Sequence, residues 1–175
     1  MDVVEEVGPV EQMDADAGCN YLKIDHIAIA VSNLEAGVRF FKNVLGFNLI
    51  RRRKVTGQKT GMIAAEMEHN GIKFVLCQGT ESASQVCQLI EKCGPGVAHI
   101  ALAVDDAEST ALKLKEQGMA FDTTVIKGAG LRQVLSSRDV NSGLSFEFIE
   151  RYGEEGFLEE NVNELFSQLE KKGAC

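Results

Sequence analysis

The hydrophobic pattern sharpens at Tyr21. Leu22-Lys-Ile-Asp-His-Ile-Ala-Ile-Ala-Val31 is rich in β-branched residues and predicts a strand. Ser32-Asn33 then offers a helix N-cap, Leu34, Val38, Phe41 and Leu45 recur at helical spacing, and Gly46 is a natural stop. The same order returns later in the chain. His26-Ile-Ala-Ile-Ala-Val31 reappears as His99-Ile-Ala-Leu-Ala-Val104, followed by the cap Asp105-Asp106, an amphipathic helix and Gly118. Gly71-Ile-Lys-Phe-Val-Leu and Gly143-Leu-Ser-Phe-Glu-Phe close the two units at nearly the same offset. Between helix and closing strand each unit has room for two strands, over 47–56 and 61–68 in the first and 120–127 and 131–138 in the second. The chain therefore reads as α+β, with two tandem βαβββ modules.

Strand alternation sorts the residues by face. His26 falls with Ile24, Ala28 and Ala30, and His99 with Ala101 and Ala103. The opposite faces carry Ile27, Ile29 and Val31, and Ile100, Leu102 and Val104, which suit packing against the helices. Alanines beside a histidine leave room for a cavity. In the closing strands Phe146 and Phe148, like Phe74 and Leu76, take the bulky face, so Glu147 and Val75 take the other. A pseudo-two-fold axis would bring His26, His99, Glu147 and Val75 together, and three of these four can ligate a metal. Two histidines and one carboxylate with open positions beside them is the donor set of non-haem Fe(II) oxygenases. Valine at position 75 leaves three of six coordination positions free, enough for a bidentate substrate and dioxygen. A fourth protein ligand there would suit Lewis-acid isomerases better.

Composition narrows the class. The chain has 175 residues, 45% hydrophobic and 25% charged, which matches a single folded domain. Eighteen Lys and Arg against 26 Asp and Glu leave a net charge of −8, which repels phosphate backbones and argues against nucleic acid. No apolar run approaches the roughly 20 residues of a membrane span, and Met1-Asp-Val-Val-Glu-Glu does not resemble a secretory leader. Five cysteines without zinc-type spacing then predict reduced thiols and a cytoplasmic location. Residues 1–20, with Glu5, Glu6, Glu11, Asp14 and Asp16, read as a flexible acidic tail. The two modules occupy about 21–79 and 96–152, and 153–175 forms a C-terminal helical lid with Leu158, Val162, Leu165, Phe166 and Leu169 on one stripe.

The duplicated unit with such ligands resembles the vicinal-oxygen-chelate superfamily, which includes glyoxalase I, methylmalonyl-CoA epimerases and extradiol dioxygenases. It is most similar to the catalytic C-terminal half of the 4-hydroxyphenylpyruvate dioxygenases. Ser84-Gln85…Gly94-Pro-Gly-Val-Ala-His-Ile-Ala-Leu102 resembles that family's run into its second iron-binding histidine. Gln133 resembles a glutamine on the strand before the iron-binding glutamate. Phe146-Glu-Phe-Ile-Glu-Arg151, followed by Gly156-Phe157, Asn161 and Leu165-Phe166, resembles its closing strand and lid. The resemblance covers about residues 22–172. It implies a curved, open mixed sheet forming a cup around the metal site, and Fe(II) held by His26, His99 and Glu147, with Mn, Co, Ni or Zn able to use the same donors. It also implies a small-molecule 2-oxo acid and O2 as partners, oxidised with loss of CO2, with Gln85 and Gln133 positioning substrate and Phe157 on the lid. The apolar stripe of the last helix docks either on its own barrel or on another chain, which leaves a homodimer open.

The departures lie in the substrate pocket. Met62 and Cys77 stand where the family anchors the 2-oxo acid with Ser and Asn, Ala98 replaces a Gln, and Leu135 replaces a stacking Phe. Hydroxyphenylpyruvate is thereby put in question. Two other classes stay open. One is a divalent-metal isomerase or epimerase of the methylmalonyl-CoA epimerase or glyoxalase type, for which Glu66 would have to serve as base. The other is a metal-free protein that binds a small molecule. Of the remaining motifs, Arg51-Arg52-Arg53-Lys54 reads as a solvated strand edge, Lys127-Gly-Ala-Gly130 as a hairpin turn, His69 as a solvated turn residue, and Cys77 as a cavity wall.

Overall fold

The structure is a computed structural model that describes residues 18–153 and 159–173. Strand β1 (Tyr21–Ala30) leads into helix α1 (Leu34–Arg39), where Asn33 Oδ1 accepts the amide of Ala36 at 2.8 Å. The helix continues as a π-helical turn over Phe40–Val44 and stops at Gly46, whose φ of +79° only glycine adopts freely. Strands β2 (Asn48–Thr56), β3 (Gly61–His69) and β4 (Ile72–Gly79) complete the first module. Asn70-Gly71, both at positive φ, form the two-residue turn between β3 and β4, with His69 exposed beside it. The second module runs β5 (Gly96–Val104), α3 (Ala107–Glu116), β6 (Ile126–Lys127), β7 (Leu131–Leu135) and β8 (Phe146–Arg151). Asp106 caps α3 on the amide of Ser109 at 2.9 Å.

All eight strands form one mixed sheet in the order β2-β3-β4-β1-β5-β8-β7-β6. Each module contributes four neighbours, and the two first strands, β1 and β5, pair antiparallel at the centre. Each closing strand lies parallel to its own first strand, β4 to β1 and β8 to β5. The sheet curls into a half-barrel. Its outer face carries α1, packed through Leu34 and Val38 on Ala65, Met67 and Leu76. On the other half α3 packs through Ala107, Ala111 and Leu114 on Val104, Val134 and Phe148. The inner face holds the small residues Ala28, Ala30, Ala64, Ala101 and Ala103.

Three local features differ from the expected pattern. The second module's second strand shrinks from 120–127 to Ile126–Lys127 and an isolated bridge between Phe121 and Ser136, and β7 ends at Leu135. Thr123 Oγ1 accepts the Leu135 amide at 2.9 Å, so a side chain takes the place of a ladder partner. Between the modules lies an additional helix, α2 (Gln85–Cys93), capped by Ser84 on Cys87 N and stopped by Gly94. Finally, Ile24 does not share the face of His26. The register of β1 against β5 slips between them, so that Asp25 and His26 are both buried while Ile24 is exposed.

Helix α4 (Glu159–Lys172) closes the cup, with Val162 and Phe166 buried against Val55 and Met62. Gly57 admits it closely, since a Cβ there would come within 2.7 Å of Phe166 and 2.6 Å of Glu170. The Glu170 carboxylate accepts the amides of Gln58 (2.9 Å) and Thr60 (2.8 Å) and the hydroxyl of Thr60 (2.6 Å). Burial works against its charge, but the hydrogen bonds from Thr60, Gln58 and Lys59 together outweigh it and hold the carboxyl below its ordinary value. A depressed folded value means that this clamp is complete above the usual glutamate range, about pH 4.3, and is lost as pH falls through the folded value. Glu170→Gln is therefore expected to speed amide hydrogen exchange in α4 at pH 7 and to leave little difference from the parent at low pH.

Basic residues Arg51–Lys54 lie on β2, an edge of the sheet, where Arg52 pairs with Glu35 and Arg53 with Glu66. Lys127 and Arg132 pair at the base of the β6–β7 hairpin, so Lys127-Gly-Ala-Gly130 forms its turn. Phe157, Gly156 and Leu158, and the acidic segment before Gly18, lie outside the described residues.

Candidate metal centre

The pseudo-symmetry brings its polar residues to one point. His26 sits on β1, His99 on β5 and Glu147 on β8, and all three face the inside of the cup. His26 Nε2 lies 3.3 Å from His99 Nε2 and 3.3 Å from Glu147 Oε2, and the third side of the triangle is 3.7 Å. Two donors that each bond one cation at about 2.1 Å stand roughly 3.0 Å apart at a right angle and 3.4 Å at the tetrahedral angle. The observed separations suit such an ion. Val75 lines the same cup, paired in register with Ala28, so the fourth symmetric position offers no donor.

A second layer orients the first. Asp25 Oδ1 lies 2.9 Å from His26 Nδ1, and Arg151 grips the same carboxylate through Nε at 2.8 Å and Nη2 at 2.9 Å. Burial opposes the charge on Asp25, but the hydrogen bonds from Arg151 and His26, with the guanidinium's charge, hold it well below the usual carboxylate range. An ionised carboxylate only accepts, so Nδ1 of His26 carries the proton and Nε2 turns its lone pair toward the cluster. Metal-binding histidines are commonly oriented in this manner. Arg151 follows Glu147 by four residues on β8, which places both on the inner side of one strand. The β1 bulge completes the arrangement by turning Asp25 inward next to His26.

The cluster is poorly satisfied without a cation. Glu147 is 1% exposed and its Oε2 has no hydrogen-bond partner. Burial raises its carboxyl above the ordinary range despite the opposing pull of His26. Burial, with the neighbouring His26 and Arg138 acting in the same direction, pushes His99 down to about 3, so its ring is neutral at pH 7. A neutral imidazole, a lone pair from a second and an orphaned carboxylate oxygen that converge at 3.3–3.7 Å fit a divalent ion.

Of the other expected site residues, Gln133 on β7 lines the cup with the cluster. It is fully buried, and neither its amide oxygen nor its nitrogen has a partner. Gln85, at the start of α2, lines an adjoining chamber that shares His99 with the cup, and its buried Oε1 is likewise unpartnered. Met62 and Cys77 wall both spaces, and Ala98 and Leu135 wall the chamber. The Cys77 thiol is pushed up to about 12 by burial, so it stays protonated. Glu66 also reaches the cup, where Arg53 Nε donates to it at 2.7 Å. Among the described residues, no helix is long and apolar enough to cross a membrane.

A half-barrel of paired βαβββ modules with two histidines and a glutamate inside is the plan of metal-dependent vicinal-oxygen-chelate proteins. Residues 23–148 match the Glyoxalase/Bleomycin resistance protein/Dioxygenase superfamily, and the chain belongs to it. Members bind divalent metals, and most are enzymes, among them dioxygenases, lyases and epimerases, that act on small molecules. The 4-hydroxyphenylpyruvate dioxygenase of Pseudomonas aeruginosa is 27% identical over 90% of this chain and 54% of its own length. Among solved structures, a mutant 4-hydroxymandelate synthase from Streptomyces coelicolor superposes with a TM-score of 0.77 at 22% identity, over 86% of this chain and 54% of that one. A methylmalonyl-CoA epimerase from the same organism gives 0.64 at 23% identity, over 77% of this chain and 100% of that one. The chain thus spans about half the length of the dioxygenase relative.

Proposed function

We propose that the protein is a non-haem Fe(II) dioxygenase acting on a small 2-oxo acid or a similar chelating substrate, with His26, His99 and Glu147 as the metal ligands. The observation that carries this reading is the three-donor cluster with Val75 at its fourth symmetric position, which leaves room for a two-point substrate and dioxygen together. Bound iron would supply electrons to dioxygen and Lewis acidity to the substrate's oxygens. Asp25 and Arg151 hold His26 in the tautomer that presents Nε2. Gln133, buried and unpartnered beside the cluster, is placed to donate to an oxygen of the chelated group, and Gln85 to assist from the chamber side. Helix α4 excludes water from the cup. The net change is oxidative decarboxylation, with O2 taken up and CO2 released.

The likeness to an epimerase over that chain's whole length supports a second reading, proton transfer at a carbon next to a carbonyl. That reaction needs a base in the cup. Glu66 is the non-liganding carboxylate there, and Arg53 already engages it, which favours the oxygenase. Anaerobically prepared, iron-loaded protein is expected to consume O2 and release CO2 when a 2-oxo acid is added, and neither without it. Deuterium exchange in D2O without oxygen, together with no O2 uptake across a broad set of 2-oxo acids, would replace this reading with the epimerase.

A further inference from the structure

The residues just before β1 lie against the second module. Cys19 packs on the cluster that α3 forms with Val104 and Phe148, and Asn20 Nδ2 donates to Asp105 at 2.7 Å, beside the start of α3. At the other end of that helix an open groove is lined by Met119, Phe121 and three lysines, Lys115, Lys171 and Lys172. Lys115 lies over the Phe121 ring, 5.5 Å from its centre, and Lys171 has no ion pair among the described residues. Asp122, the carboxylate on this wall, is already paired with Lys172 at 2.9 Å. In a protein of net charge −8 the groove is thus a local concentration of positive charge. It also holds the end of α4, since Lys172 Nζ donates to the Phe121 carbonyl at 2.5 Å and Gln168 Oε1 accepts the Thr124 amide at 2.9 Å.

We propose that the acidic segment preceding Gly18 docks in this groove of its own chain and steadies the end of α4. The segment carries Asp2, Glu5, Glu6, Glu11, Asp14 and Asp16 and no Lys or Arg, a one-sign block of the kind that serves as an interaction tail. Val3, Val4, Val7 and Val10 supply apolar side chains to set against Met119 and Phe121. The reach is sufficient. Helix α3 has 10 residues and spans about 15 Å, whereas the stretch from Glu11 to Gly18 covers about 23 Å when extended. An exposed ion pair contributes only about 1.4- to 5-fold. Tethering, however, gives the segment a roughly millimolar local concentration, so several weak contacts suffice. Asp122 is common to the groove and to the chamber beside the cup, so the docked segment braces the chamber's cover whichever reaction the metal centre performs.

Hydrogen exchange of the full-length protein, read at residues 118–124 and 168–172, tests the docking. Reversing the segment's charges in Glu5→Lys/Glu6→Lys/Glu11→Lys is expected to speed exchange at both places about three- to fivefold at low salt. Lys115→Glu/Lys171→Glu is expected to do the same. The two sets combined should restore the parent's rates, which damage to the fold in either variant could not produce. At about 1 M salt, where charges are screened beyond roughly 3 Å, parent and variants should converge. Carbodiimide coupling in a mixture of isotopically light and heavy protein then identifies the occupant. Links from carboxylates of the segment to Lys115 or Lys171 within one copy are expected. Links found only between light and heavy copies would give the groove to a second chain and overturn the proposal, as would unchanged exchange in both variants.

Discussion

Glu147→Gln is expected to abolish metal binding and, in the same protein, to raise the stability of the metal-free form. Glutamine keeps the shape of glutamate but removes the charge that a divalent ion needs. Loss of one of three ligands should exceed the roughly 10- to 100-fold penalty typical of changes in the supporting layer. The metal-free parent, in contrast, carries a carboxyl that burial makes hard to ionise, with Oε2 unpartnered. Its removal should stabilise the apoprotein by about 1 kcal/mol or more at neutral pH. Urea melts with chelator and with metal would show the crossing. The parent gains about 2.7 kcal/mol at a hundredfold excess of metal over its Kd, and the variant gains almost none. A variant that metal stabilises as much as the parent would show that the ion is held elsewhere.

Arg151→Ala should weaken both the fold and the metal site. Asp25 is almost wholly buried, and Arg151 supplies two of its hydrogen bonds. Breaking a buried ion pair strands the remaining charge and costs about 3–5 kcal/mol. The guanidinium is partly open to water, with 21% side-chain exposure, so about 2–3 kcal/mol is expected once solvent screening is allowed for. Asp25, no longer held, would lose its grip on Nδ1 of His26, and metal affinity should fall by about 10- to 100-fold. Arg151→Lys keeps a charge without the two-point geometry and should fall between parent and alanine in both measurements. Unchanged unfolding midpoints and metal affinity in Arg151→Ala would remove this pair from the account.

The duplication explains why so much was legible. His26-Ile-Ala-Ile-Ala-Val31 and His99-Ile-Ala-Leu-Ala-Val104 name two equivalent strands, and equivalence alone places their histidines across the β1–β5 pair from one another. The same logic reaches Glu147 and Val75 through the Gly-x-x-Phe ends of the units. Asp25 stayed hidden because strict alternation assigns it to the face opposite His26. The bulge that turns it inward arises from pairing with β5, which no local pattern encodes. Helix α2 lies outside the duplicated pattern, although Ser84, Val86, Leu89, Ile90 and Gly94 carry a cap, an apolar stripe and a stop. The shortening of β6 depends on the Thr123 hydroxyl competing for the Leu135 amide, a tertiary event. Arg151 was visible as part of a motif, but its partner became clear only with the bulge.

Anomalous X-ray scattering at the iron edge, from crystals grown anaerobically with Fe(II), measures the central claim directly. One full-occupancy peak is expected about 2.0–2.2 Å from His26 Nε2, His99 Nε2 and a Glu147 carboxylate oxygen, with Val75 facing it and no fourth protein donor. A peak bound by other side chains, or an empty cluster at saturating iron, would contradict it.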